Sequence, residues 1–237
     1  MRLDHILIRV DNLEKAMTDF REMGFNIYPG NAGKKCHHAM IYFQDESFIE
    51  LIDPSKFPAS LTFLSKVGVL NLFGPFFRRI THYVTSGEQF LDYSVHTATI
   101  EEMYRRTKPN NKKLRMHQLK RVNHSGTKIG WKLVVSENME LPFIMSDYSP
   151  AKLPVEEAVI HPNGITGINE LTIEVPNQEA YVQEFQHRFG ADLRSLENTT
   201  LIIEYGDRFR ITHVQLQPGE EQSVVDLCNL SGYGIRL

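Results

Sequence analysis

The sequence predicts an α+β protein built from repeated strand–helix–strands units. Leu3 to Phe20, LDHILIRVDNLEKAMTDF, aligns without a gap with Ile168 to Phe185, INELTIEVPNQEAYVQEF. Within each copy the apolar residues first alternate and then fall at helical spacing. A middle stretch beginning at Phe90 repeats the same order of elements.

In the first unit Ile6, Ile8 and Val10 alternate with His5, Leu7 and Arg9, the period of a strand with one apolar face. Leu13, Ala16, Met17 and Phe20 then mark a helix, with Asp11 and Asn12 supplying capping side chains and Gly24 placed to stop it. HHAMIYFQDESFIELIDP gives two strands around a polar turn at Gln44 to Ser47. The middle unit reads as a strand from Phe90 to Thr97, a helix from Ile100 to Arg106, and strands in HQLKRVN, KIGWKLVV and LPFIMSDY. The third continues from its repeat into TTLIIEYGD and RFRITHVQL, read as a hairpin turning at Gly206-Asp207. The predicted boundaries are a first module over 1–54, an apolar insertion or lid over 55–89, a second module over 90–150, a linker over 151–166 and a third module over 167–237.

The 237 residues are 41% apolar and 23% charged, as in globular proteins with a sizeable core, and the net charge of -3 gives no bias toward nucleic acid or membranes. Cys36 and Cys228 have no short spacing, which excludes a disulfide framework and a zinc knuckle and suits a reducing compartment. The start MRLDHILIRVDN has too short an apolar run and too early an acid for a signal peptide. No run reaches the roughly 18 to 20 apolar residues of a membrane span. A cytoplasmic protein is expected.

LDHILIRVDNLEKA, FIELIDP, GWKLVV, LPFIMSD and the later His161-Pro162 together resemble the glyoxalase-like domain proteins of bacteria, within the vicinal oxygen chelate superfamily. The resemblance covers the first two modules, through about Pro162. It implies paired βαβββ modules forming a curved mixed sheet around a cleft, with divalent-metal ligands on the first and last strands of each module. Imidazole and carboxylate ligands suit such ions and leave positions open for a substrate with two neighbouring oxygens.

Carried over residue by residue, the first-module ligand positions fall on His5 and Glu50, and the second-module positions on Asp92 and Ser146. Strand parity agrees for the first pair, since Phe48, Glu50 and Ile52 face together. Ser146 is a poor ligand, and Asp147 points the other way on an ideal strand unless a bulge shifts it. The resemblance therefore implies an unidentified divalent ion on His5, Glu50 and Asp92, with Glu50 also moving a proton. Arg9, Phe48, His96, Ser146 and His38 are the candidates to line the substrate site. The implied function is a metal-dependent enzyme acting on a small oxygenated metabolite. Isomerase, lyase and dioxygenase chemistry stay open, because a fold does not choose among reactions. The alternative is a metal-free small-molecule binding protein on the same fold.

Three stretches have simpler readings beside functional ones. In KKCHHAM, Lys34 to Met40, adjacent histidines face opposite ways, so a polar loop entering a strand is expected, with one histidine lining the cleft. Arg105 to Arg121 carries eight Lys or Arg and no acid, but lacks the interleaved aromatics that stack bases. A solvated loop and strand with no nucleic-acid partner is expected there. The apolar run Leu61 to Arg79 is broken by Gly68 and Gly74-Pro75, which suits a lid or dimer contact better than a membrane-surface helix. The third module needs a partner for its apolar face, which predicts a homodimer, with Glu170 vestigial at the position matching His5.

Overall fold

The computed structural model describes residues 1–30, 36–122, 126–150, 156–219 and 228–236. Lys34 and Lys35 of the histidine-rich stretch and residues 151–155 of the expected linker lie outside them. The first unit is β1 (Arg2–Arg9), α1 (Leu13–Glu22), β2 (Tyr28–Pro29), β3 (His38–Tyr42) and β4 (Phe48–Ile52). The insertion holds α2 (Ala59–Lys66) and α3 (Pro75–Thr85). The second unit is β5 (Phe90–His96), α4 (Ile100–Thr107), β6 (Arg115–Val122), β7 (Lys128–Val135) and β8 (Phe143–Met145). After the short α5 (Glu156–Val159) come β9 (Ile165–Val175), α6 (Gln178–Phe189), β10 (Thr200–Tyr205), β11 (Arg210–Pro218) and β12 (Ile235–Arg236). Among the described residues no helix is long and apolar enough to cross a membrane.

The sequence repeat is also a repeat of backbone detail. Asn12 and Asn177 cap α1 and α6 with φ, ψ of -149°, 106° and -149°, 105°. Each side chain accepts from the backbone N–H three residues on, at 3.0 and 2.9 Å. That bond satisfies one of the amides a helix start leaves unpaired.

The first two units join in one curled sheet of eight strands, ordered β2-β3-β4-β1-β5-β8-β7-β6. β1 runs parallel to β4 and antiparallel to β5, so the two units meet along the β1–β5 seam. β2 and β6 are its outer strands. The curl brings them close enough for Arg121 of β6 to donate to the Gly30 carbonyl at 3.3 Å and to His38 Nε2 at 2.7 Å. Leu7, Ile52, Leu91, Leu133, Val135, Phe143 and Met145 share the concave face, and Phe76 and Tyr83 of α3 pack against them. The helix α3 of the insertion therefore packs on the concave face.

The third unit forms its own sheet, ordered β10-β9-β11-β12. Here the expected hairpin is corrected, because β10 and β11 do not pair with each other. β10 runs parallel to β9 on one edge and β11 antiparallel on the other. Alternation in sequence marks a strand but not the edge it will take, and β9 offers two free edges. β9 thus has the same neighbours as β1, a parallel strand on one side and an antiparallel one on the other. Leu171, Ile173, Val175, Phe185 and Phe189 are buried in one continuous core with Ile6, Ile8, Val10, Phe20 and Val95. The hydroxyls of Tyr93 and Tyr181 meet at 2.9 Å across this contact. The apolar face of the third unit, which motivated the homodimer, is covered within the chain.

Candidate functional site

Strand register lays the concave side chains out in rows. Tyr42, Phe48, His5, Ser94 and Phe143 are successive partners across β3, β4, β1, β5 and β8. Met40, Glu50, Leu7 and Asp92 form the next row. His5 and Glu50 therefore sit one row apart on adjacent strands, with Nε2 and Oε2 3.6 Å apart. His5 is 3% exposed, while the Glu50 side chain keeps 21% exposure and so reaches the cleft.

The His5 ring is held on every side. Nδ1 donates to Asp4 Oδ2 at 2.6 Å, with Ser94 Oγ 2.8 Å from the same nitrogen. A carboxylate only accepts, so Nδ1 carries a proton, and Nε2 faces Glu50. The ring stacks on Phe48 at 4.4 Å and 19° and meets the edge of Phe143 at 5.4 Å. Asp4 escapes a strand-parity reading, which puts it opposite His5. A break in register between Leu3 and His5 turns its carboxylate to the same side.

Asp92 lies in the cleft but is already engaged. Arg79 of α3 pairs with its Oδ2 and also donates to the Leu141 carbonyl. Tyr83, one turn further along α3, donates to the same oxygen at 2.7 Å. Ser146 accepts from Lys132 N–H at 2.9 Å and donates to the Asp147 carbonyl at 2.8 Å, so it braces β7. His96 Nε2 pairs with Asp147 Oδ1 at 2.9 Å. Arg9 is half-buried, with Asp11 3.8 Å from its Nε. The concave side chains of β8, Phe143 and Met145, include no carboxylate.

At the edge of the cleft, His38 sits against Gly30, where a Cβ would come within 1.8 Å of its Nε2. Burial pushes the His38 imidazole down to about 4, against the pull of Glu50. It is therefore neutral near pH 7, and Nε2 accepts from Arg121. Burial pushes the Tyr42 phenol up to about 12, and the charges of Arg121, Glu50 and Asp4 all act on it. Arg121 also stands 5.7 Å over the ring of Trp131. The sequence alone places Arg121 in a solvated basic run. β6 does expose Gln118 and Lys120, but alternation turns Arg121 inward.

A family model described as "Glyoxalase-like domain" matches residues 3–189. The chain belongs to that family. No curated protein matches the sequence. Among solved structures, a hypothetical protein from Staphylococcus aureus matches with a TM-score of 0.64 at 17% identity, over 94% of this chain and 93% of that one. The Mn(II)-bound glyoxalase from Novosphingobium aromaticivorans matches with a TM-score of 0.50 at 12% identity, over 100% of this chain and 72% of that one. At those identities the likeness is one of fold, and it agrees with the vicinal oxygen chelate superfamily.

Set against the metal chemistry of that superfamily, the glyoxalase-like cleft here fits an ion in part. His5 Nε2 and Glu50 Oε2 are close enough for both to lie at ordinary ligand distances, about 2.0–2.2 Å, from one ion. The Asp4 carboxylate on Nδ1 is the outer partner that metal-binding histidines commonly have. A third protein donor is missing: among the described residues no group of three His, Cys, Asp or Glu is placed to hold an ion. Asp92, the expected third ligand, has Arg79 in the cation's place.

Proposed function

We propose that the cleft is an enzyme site of the vicinal oxygen chelate type, acting on a small oxygenated molecule with Glu50 as the group that moves a proton. The observation that carries this reading is the facing of His5 Nε2 and Glu50 Oε2 at 3.6 Å on the cleft floor. Two acceptor groups this close repel unless a proton or cation lies between them.

A divalent ion bound by His5 and Glu50 would supply a Lewis acid that stabilises a developing oxyanion. Asp4 fixes the His5 tautomer, and Phe48 and Phe143 fix the ring's angle. Partly exposed and free of any Lys or Arg partner among the described residues, Glu50 can take a proton from a bound molecule and return it. α3 over the concave face keeps bulk water from the apolar side of the cleft.

The test is solvent-deuterium exchange into small 2-oxo and 2-hydroxy compounds, followed by proton NMR, with metal analysis of protein purified without tag or chelator. Glu50→Gln should slow exchange by a factor on the order of 100 or more. Exchange that is equally fast in Glu50→Gln would overturn the assignment. A metal-free binding protein is the second reading, favoured by the Arg79–Asp92 pair. Saturable binding with no exchange and no bound metal would select it.

A further inference from the structure

We infer that Arg121 anchors the anionic end of the ligand and that the cleft takes a small carboxylic acid. This rests on reading the concave face as a ligand site, and it adds the class of ligand. Among the described residues Arg79 and Arg121 both set a guanidinium group against side chains of the concave sheet, and only Arg79 is paired with a carboxylate there. Arg79 has Asp92. Arg121 has neutral partners only: His38 Nε2 at 2.7 Å, the Gly30 carbonyl at 3.3 Å, Met40 Sδ at 3.4 Å and the Trp131 ring. Among the described residues it forms no ion pair, although it is half-buried.

A partly desolvated cation without a counter-charge is costly, and an anionic ligand removes that cost. Two buried donor atoms beside it also lack acceptors among the described residues, Arg121 Nε and His38 Nδ1. His38 is 8% exposed, and because its Nε2 accepts from Arg121, its proton sits on Nδ1. A positive fork with spare N–H groups complements a carboxylate. The site adjoins the His5–Glu50 pair, since Met40, 3.4 Å from Arg121, is the cross-strand partner of Glu50. A small acid held at Arg121 would direct its remaining oxygens toward Glu50 and His5.

Trp131 is the chain's single tryptophan, so its fluorescence reports on this subsite. The full chain is titrated with pyruvate and with pyruvamide, which has the same size and neighbouring oxygens but no charge. Pyruvate should give a saturable change, with pyruvamide about tenfold weaker or more, the scale of a charge-assisted hydrogen bond. Arg121→Gln should erase that preference. Glu50→Gln should keep it while losing proton exchange, so failure of the anchor and failure of the chemistry are separable. Equal binding of acid and amide, no saturable response to either, or a preference that survives in Arg121→Gln would each overturn the proposal. If Arg121→Gln does not fold, because it also ties the two outer strands together, the acid–amide comparison on the unaltered protein decides.

Discussion

His38 and His161 are buried imidazoles, both pushed down to about 4 by burial. His161 receives Asn26 N–H on Nδ1 at 3.0 Å and donates from Nε2 to the Tyr42 carbonyl at 2.9 Å, an arrangement that needs the neutral ring. An unfolded histidine titrates near pH 6.5, so between about 6.5 and 4 the unfolded chain binds protons that the folded one refuses. Their contribution is therefore complete above about pH 6.5 and falls as the pH drops toward 4, by up to roughly 3 kcal/mol for each ring. Urea midpoints measured across that window should fall with pH, and His161→Gln should flatten the slope. A second expectation concerns Gly30, where a methyl group would collide with His38. Gly30→Ala should cost about 1–3 kcal/mol and shift Trp131 emission as Arg121 loses its partners. Unchanged emission would mean that the ring and Arg121 find another place. At this scale the shared face of His5, Phe48 and Glu50 was legible, because alternation assigns a face to each and the strand register agrees. Asp4 was hidden by a bulge. Arg121 was hidden by its basic neighbours on a strand whose other face is exposed.

α3 carries the element-scale prediction. Its Arg79 is 3% exposed and its Asp92 partner 4%. Removing one member of such a pair leaves a buried charge uncompensated, so Asp92→Asn should destabilise by about 3–5 kcal/mol in denaturant titration. Replacing both, as Arg79→Met with Asp92→Leu, should recover most of that loss. A loss as large in the double variant as in the single would show that the ion pair is not the source. The sequence marked this segment as a broken apolar run between modules, and the helix α3 does cover the cleft. What it could not reveal was that Arg79 of this helix pairs with Asp92, the residue expected as a third metal ligand. That contact depends on how α3 crosses the sheet, which periodicity does not encode. Other apolar side chains of the insertion face outward, with Leu72 84% exposed and Phe63 65%, although Leu70 is buried.

At the scale of the molecule, the third unit shares its core with the first two. Truncation after Ala158 would expose Ile6, Ile8, Val10 and Phe20 on one side of the broken contact. The truncated chain should lose cooperative unfolding and near-ultraviolet circular dichroism. A truncated form that melts cooperatively would show instead that the units are independent. The repeat itself was plain in the sequence, down to the matching asparagine caps. What the repeat did not reveal is that β11 stands beside β9 where β5 stands beside β1, and that the apolar face of the third unit is covered within the chain.

The seam between β1 and β5 has a bearing on the order in which the cleft is assembled. His5 and Glu50 both belong to the first unit, joined by the parallel β1–β4 ladder. The contact of His5 with Ser94 spans 89 residues, and that of Arg121 with His38 spans 83. Closing longer loops costs more entropy, and pairing between distant segments slows folding. Refolding should therefore bring His5 and Glu50 together first and Arg121 to His38 late. In stopped-flow refolding, protection of β4 amides should precede the change in Trp131 emission that marks Arg121 meeting His38. The chain thus builds the His5–Glu50 floor of the cleft from one contiguous stretch, and Arg121 joins it only when the second stretch arrives.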